Sequence, residues 1–207
     1  MKNFIAAIIA AYALIGTCLA GDFRITDEDP TTVSVHYTGG VTDYDVYRWY
    51  AVEKHAGDRV IILTIDSPGG SAYGGIDLYW AMEAHPRLVT VAGSQLGAWS
   101  AAAIMWTAGD YQLIAPNGAV WFHAAFCNWD PNPNPEIGCD TWHFQQLLTQ
   151  VMTNAGYWGI GFNSLLNSIQ TTHGTDGWVG LDSDGWWMRD TTDWWKKRFD
   201  ITPFLLR

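Results

Sequence analysis

Polar and apolar residues alternate over residues 33–40 (VSVHYTGG), the period-two pattern of a strand with one covered face, and the closing glycine pair predicts a turn. Residues 44–55 change to helical spacing in DVYRWYAVEKH. An apolar, β-branched run follows at residues 59–66 (RVIILTID), of the kind found in strands covered on both faces. It stops at Ser67-Pro68-Gly69-Gly70. Residues 74–84 read as a helix with Ile76, Tyr79, Trp80 and Met82 on its apolar side, ended by Pro86. Residues 88–93 (LVTVAG) are again strand-like, and WSAAAIMWTAGD is an apolar, buried helix stopped by Gly109. YQLIAPNGAVWFHAAF then predicts two short strands folded about an Asn117-Gly118 turn.

Strand and helix in this rhythm imply right-handed crossovers and a largely parallel sheet, so the expected fold class is α/β. Beyond Cys139, WHFQQLLTQVMTNAG and FNSLLNSIQTT are two helical patterns separated by a Gly-rich break. Residues 174–207 are rich in tryptophan and carry no pattern that assigns an element.

The first 20 residues change the picture of where the chain works. Lys2, an apolar run from Phe4 to Gly16 and small residues near Ala20 form a Sec-type signal peptide, leaving residues 21–207 as a single mature domain. The alternative is retention as an uncleaved anchor, although the run is short of the ~20 residues of a membrane span. Export, to the periplasm or out of the cell, places Cys127 and Cys139 in an oxidising compartment. They flank the loop NWDPNPNPEIG, and their pairing would contribute about 3 kcal/mol. A formal net charge of −10 excludes a nucleic-acid partner, since phosphates need a basic surface.

Acyl transfer needs a hydroxyl nucleophile, a base, a group to orient the base and backbone N–H donors facing the oxyanion. Ser100 falls where strand LVTVAG passes through SQLGAW into a buried helix, beside the unsatisfied amide of Ala101. Gly69 and Gly70 close a strand at its carboxyl end, where open α/β sheets place their sites and where glycine lets backbone approach a substrate. The dull reading of Ser100 is a helix N-cap. Ser94 is its rival as nucleophile.

IDSPGGSAYGG resembles the SPGG loop of the Clp protease proteolytic subunit, and GAWSAAAIMWTAG resembles that family's nucleophile helix. There the serine stands seven residues before a Thr-Ala-Gly, as Ser100 does before Thr107, Ala108 and Gly109. The family's histidine follows a Pro-Asn by six residues, as His123 follows Pro116-Asn117. The resemblance implies a fold of the Clp protease and crotonase type, with repeated β-β-α units and a mainly parallel sheet. It implies Ser100 as nucleophile, His123 as base and the amides of Gly70 and Ala101, with Gly69, as oxyanion hole. It also implies an orienting aspartate after the last helix, for which Asp176 fits best and Asp182 and Asp184 are rivals.

On this reading the chain is an exported serine endopeptidase that takes peptides or unfolded proteins, with self-association as a homo-oligomer carried over from the family. An ATPase partner is not expected, because an exported protein has no ATP supply. No cofactor is implied, and the histidines form no metal-ligand spacing. Two other readings stand beside it. One is a non-catalytic envelope binding or assembly module acting through the tryptophan-rich tail, and the other a crotonase-type thioester enzyme. A Ser-Lys dyad has only Lys54 as an internal lysine.

Overall fold

The computed structural model describes residues 20–124, 141–173, 177–190 and 196–206. These fall in two compact units divided after Gly118. The signal-peptide assignment, bar its last residue, and Cys127 and Cys139 lie outside the described residues.

The first unit is built on a five-stranded sheet in the order β1-β2-β3-β4-β6, from β1 (Asp22–Glu28), β2 (Thr32–Thr38), β3 (Val60–Asp66), β4 (Leu88–Ala92) and β6 (Tyr111–Ile114), with the two-residue β5 (Ala98–Trp99) outside that sheet. β2, β3, β4 and β6 are parallel, and β1 runs antiparallel to β2 at one edge with an irregularity between Ile25 and Asp27. β1 has no apolar face to announce it. Almost every residue in it is exposed, and its charges suit an edge strand that must not recruit another chain.

Alternation sets which face is covered. Val33, Val35 and Tyr37 of β2 and Ile61, Leu63 and Ile65 of β3 are buried, whereas Val60, Ile62 and Thr64 between them are only half-buried. The apolar run of β3 suggested burial on both faces, but only one is fully covered, and β-branched side chains tolerate the half-wet side. Covering that face are α1 (Asp45–Ala56), α2 (Ala72–Glu83) and the short α3 (Ala101–Trp106), which bring Trp49, Ile76, Leu78, Met82 and the wholly buried stretch Ala101–Trp106 into the core. The Trp49 indole donates to the Ala81 carbonyl at 3.1 Å and ties α1 to α2.

At the start of α1, Asp45 is completely buried. Its carboxylate accepts the Tyr37 hydroxyl at 2.9 Å, the Thr42 amide at 2.7 Å and Arg48 at 3.2 Å. These bonds replace water around a charge that could not otherwise be buried, and the N-terminal position in the helix suits a negative group.

The second unit is antiparallel: β7 (Ala119–Phe122), β8 (Gly177–Asp182), β9 (Gly185–Asp190) and β10 (Lys196–Arg198) follow one another as a meander. With them are α4 (Thr141–Asn154) and α5 (Gly159–His173). The fold is mixed α/β, and the expected parallel arrangement describes the first unit alone. The Asn117-Gly118 hairpin is also corrected. β6 pairs with β4 and β7 with β8, so the turn hands the chain from one sheet to another. Its residue types still make sense, because Asn117 sits at φ 65° and a Cβ on Gly118 would lie 2.7 Å from the carbonyls of Ala92 and Gly93.

The tail that carried no pattern supplies three strands. Trp186 stacks on Phe122 with ring centroids 6.4 Å apart and meets Tyr157 edge-on at 6.2 Å. A Cβ on Gly180 would fall 2.1 Å from the Trp121 ring, so a bare backbone makes room for that indole.

Replacing Asp45 by alanine strands the Tyr37 hydroxyl and the Thr42 amide. The expected loss is about 2–4 kcal/mol of stability, read as a lower urea midpoint with an unchanged slope.

Candidate active site

The carboxyl end of β3 is where the first unit concentrates its unusual backbone. Ser67, fully buried, donates its hydroxyl to the Gly39 carbonyl at 2.7 Å and accepts the Gly69 amide at 3.2 Å. Its own amide donates to the Gly97 carbonyl at 2.8 Å, and its carbonyl accepts the Trp99 amide at 3.1 Å. One serine therefore joins the glycine pair to the loop that leads into Ser100.

Gly69 and Gly70 have φ of 88° and 152°, the first well inside the left-handed region. Space demands glycine as strongly as angle does. A Cβ on Gly69 would lie 2.5 Å from the Trp99 carbonyl and 2.6 Å from the Ser100 Cβ, and one on Gly70 would lie 2.3 Å from the Val41 carbonyl. The Val41 amide donates to the Gly69 carbonyl and the Ser71 amide to the Val41 carbonyl, each at 2.8 Å, which fixes the loop from its other side. Among the described residues the Gly70 amide has no acceptor, whereas the Gly69 amide is taken up by Ser67. Of the two glycines named as oxyanion donors, Gly70 keeps a free N–H and Gly69 serves as the flat surface against which Ser100 packs.

Two serines precede helices, and they differ. Ser71 caps α2 in the ordinary way, accepting the Gly74 amide at 3.2 Å. Ser100 stands at the same position before α3, yet its side chain makes no capping bond and its backbone lies at φ 54°, ψ −121°. For a residue with a Cβ that conformation costs on the order of 1–3 kcal/mol and persists only where the surroundings impose it. The N-cap reading of Ser100 is thereby replaced. Ser100 is half-buried, Ala101 behind it is buried, and Gly75 of α2 comes so close that a Cβ there would be 2.9 Å from the Ala101 carbonyl. Ser94, the rival, is exposed.

His123 lies in the second unit, just beyond β7. Its Nδ1 is 2.8 Å from the Ala124 carbonyl. A carbonyl can only accept, so Nδ1 carries the proton and Nε2 presents its lone pair. The Trp178 ring packs on the imidazole with centroids 4.2 Å apart. Burial disfavours the charged form and holds the imidazole below its ordinary pKa of 6.5, only partly offset by the bond to Ala124. A neutral ring is the form a general base requires.

Asp176 lies outside the described residues. Its rivals are placed elsewhere. Phe122 is registered against Val179, so the His123 end of β7 meets the start of β8, while Asp182 closes β8 opposite Ala119. Asp182 accepts the Asp184 amide and the Trp187 indole, both at 2.9 Å, and Asp184 belongs to the same β8–β9 turn. Those two carboxylates shape a turn about 10 Å along the strand.

The family model of the Clp protease matches residues 35–131, a span that contains Gly69, Gly70, Ser100, Ala101 and His123. Over that stretch the chain is similar to the Clp protease family. At family level this supports a peptidase of the Clp protease type. Asp176 and Cys139 lie beyond the match. No curated protein matches the chain.

Reading residue types overlooked Ser67, inside the matched stretch, and Trp178, beyond it. The serine was visible only as part of a glycine motif, and its bridging role depends on a loop thirty residues later. Trp178 was noted as a neighbour of Asp176, and nothing in spacing says that its ring covers His123.

In an NMR titration His123 is expected to change charge below pH 6.5. Trp178→Ala admits water to the ring and moves that midpoint back up, while an unmoved midpoint would mean that Trp178 does not desolvate it.

Proposed function

We propose that this Clp protease relative is an exported, ATP-independent serine endopeptidase in which Ser100 is the nucleophile, His123 the general base and the amides of Gly70 and Ala101 the oxyanion donors. The observation that carries the reading is the backbone of Ser100. It is a serine at a helix start that forgoes capping, sits in a strained conformation and is pressed against a glycine pair whose second amide is unspent. Strain of this kind collects where a side chain must be presented to a substrate.

The chemistry follows in two halves. The Ser100 hydroxyl oxygen bonds to the scissile carbonyl carbon as its proton passes to His123 Nε2, and the carbonyl oxygen takes up negative charge facing the amides. The C–N bond then breaks and the leaving amine carries that proton away. Water repeats the sequence on the acyl-enzyme, giving its proton to His123 and releasing the acid and Ser100. Tautomer choice supports this role, since the Ala124 carbonyl holds the proton on Nδ1 and so puts the basic lone pair on Nε2. Asp176 is proposed as the residue that orients the imidazole, and peptides or unfolded segments as substrates, with self-association as in the family.

Ser100→Ala is expected to abolish both peptide turnover and labelling by a fluorophosphonate probe while leaving the circular dichroism spectrum unchanged. Labelling of that variant at the wild-type rate would remove Ser100 from the mechanism. His123→Ala should lower kcat/KM about 10³-fold or more. Because burial lowers the His123 pKa, the acid limb of the wild-type pH–rate profile should fall below pH 6.5.

Export has its own test. Protein recovered from the cell envelope or medium is expected to begin at Gly21 and to yield, without reduction, a peptide linking Cys127 to Cys139. A chain that keeps Met1 and two free thiols would contradict both parts.

A further inference from the structure

We infer that Asp66 is a positioning residue for Ser100, holding the loop that delivers the nucleophile through a carboxylate shared by three consecutive backbone amides. The inference rests on the reading of Ser100 as nucleophile.

Asp66 is the last residue of β3, the central strand of the first sheet, and its side chain is 5% exposed. Burying a carboxylate is expensive unless both oxygens are satisfied. Here they are. Oδ1 accepts the amides of Gln95, Leu96 and Gly97 at 3.0, 2.7 and 3.0 Å, and Oδ2 meets His36 Nε2 at 2.9 Å. Three successive N–H groups converging on one oxygen form an anion-binding nest, and the anion is supplied by the chain itself.

The fit is close enough to dictate a neighbour. A Cβ on Gly93 would lie 2.1 Å from Asp66 Oδ2, so the carboxylate occupies the space where residue 93 would carry a side chain. Burial by itself would raise the Asp66 pKa, but the amides of Leu96 and Gly97, then His36 and the Gln95 amide, outweigh it and hold the group below its ordinary value. The charge is therefore present at neutral pH, and charge-assisted bonds are roughly twice as strong as neutral ones.

The held loop runs straight into the nucleophile. Gly97, whose amide is on Asp66, gives its carbonyl to the Ser67 amide, and Gly97 itself lies at φ 81°. The Trp99 amide returns to the Ser67 carbonyl, and the Trp99 indole donates to the Leu96 carbonyl at 2.6 Å. The next residue is Ser100. Residues 66 and 67 thus grip the loop from adjacent positions at the end of β3, the first by its side chain and the second by its backbone. Release of the Asp66 grip loosens the three residues that set the entry angle of Trp99 and Ser100. A displacement of about 1 Å at a reacting atom can lower a rate about 10²-fold.

Asp66→Asn keeps the shape and removes the charge. Inactivation by a fluorophosphonate probe should show kinact lowered about tenfold to a hundredfold, with KI within about twofold of wild type. The amides of Gln95, Leu96 and Gly97 should lose hydrogen-exchange protection in parallel, while the Ser67 and Leu63 amides keep theirs. His36→Gln, at a partly exposed residue, should lower kinact in the same direction by a smaller factor, and it decides the matter if Asp66→Asn does not fold. Wild-type protein that labels alongside a folded Asp66→Asn of equal kinact overturns the positioning role alone. Unchanged kinact in His36→Gln when Asp66→Asn is unfolded does the same. Wild-type protein that never labels defeats the Ser100 reading and this inference with it.

Discussion

Ser100 keeps a backbone conformation that residues with a Cβ rarely adopt, and the surroundings of that one residue order much of the first unit. It is wedged against Gly69 at a distance that admits no side chain there, and the chain entering it is bonded to Ser67 through the Gly97 carbonyl and the Trp99 amide. The same constraint explains why the glycine pair, the buried hydroxyl of Ser67 and the all-apolar helix Ala101–Trp106 occur together. Each removes a way for the strain to relax. A small, tightly packed α3 cannot shift outward, and a loop stitched to the end of β3 cannot unwind.

Electrostatics follow the same economy. Among the described residues, the two buried carboxylates sit where neighbouring donors take the place of water. Asp45 is solvated by a hydroxyl, an amide and a guanidinium at the start of a helix, and Asp66 by three amides and an imidazole at the end of a strand. His123 is treated in the opposite way. It receives one carbonyl and an aromatic cover, which favour the neutral ring, and a neutral ring is the form that can take a proton from a hydroxyl.

Parts of this were legible along the chain because they are local. Alternation in residues 33–38 and 60–66 locates β2 and β3, and helical spacing locates α1 and α2 within a residue or two. The glycine turn of the SPGG loop and the start of α3 at Ser100 were readable because glycine and helix starts are local properties too, while the roles given to Ser100 and His123 rest on a resemblance. β1 escaped because an exposed edge strand needs no apolar face, and β8 to β10 because their aromatic residues pack without a strict period. The supposed hairpin at Asn117-Gly118 has the right turn chemistry, but turn chemistry fixes a local bend and leaves strand partners open.

The sequence by itself determined the α/β character of the chain, the positions of its glycine-dependent turns and the residue types able to carry acyl transfer. These depend on steric rules that act within a few residues. It took the folded arrangement to show that the Ser100 side chain makes no capping bond, that Gly69 spends its amide on Ser67 while Gly70 does not, and that Asp66 gathers the amides of a loop thirty residues away. Such assignments depend on which hydrogen-bond donors meet which acceptors across long loops, and that pairing is set by the packing of whole elements rather than by any segment alone.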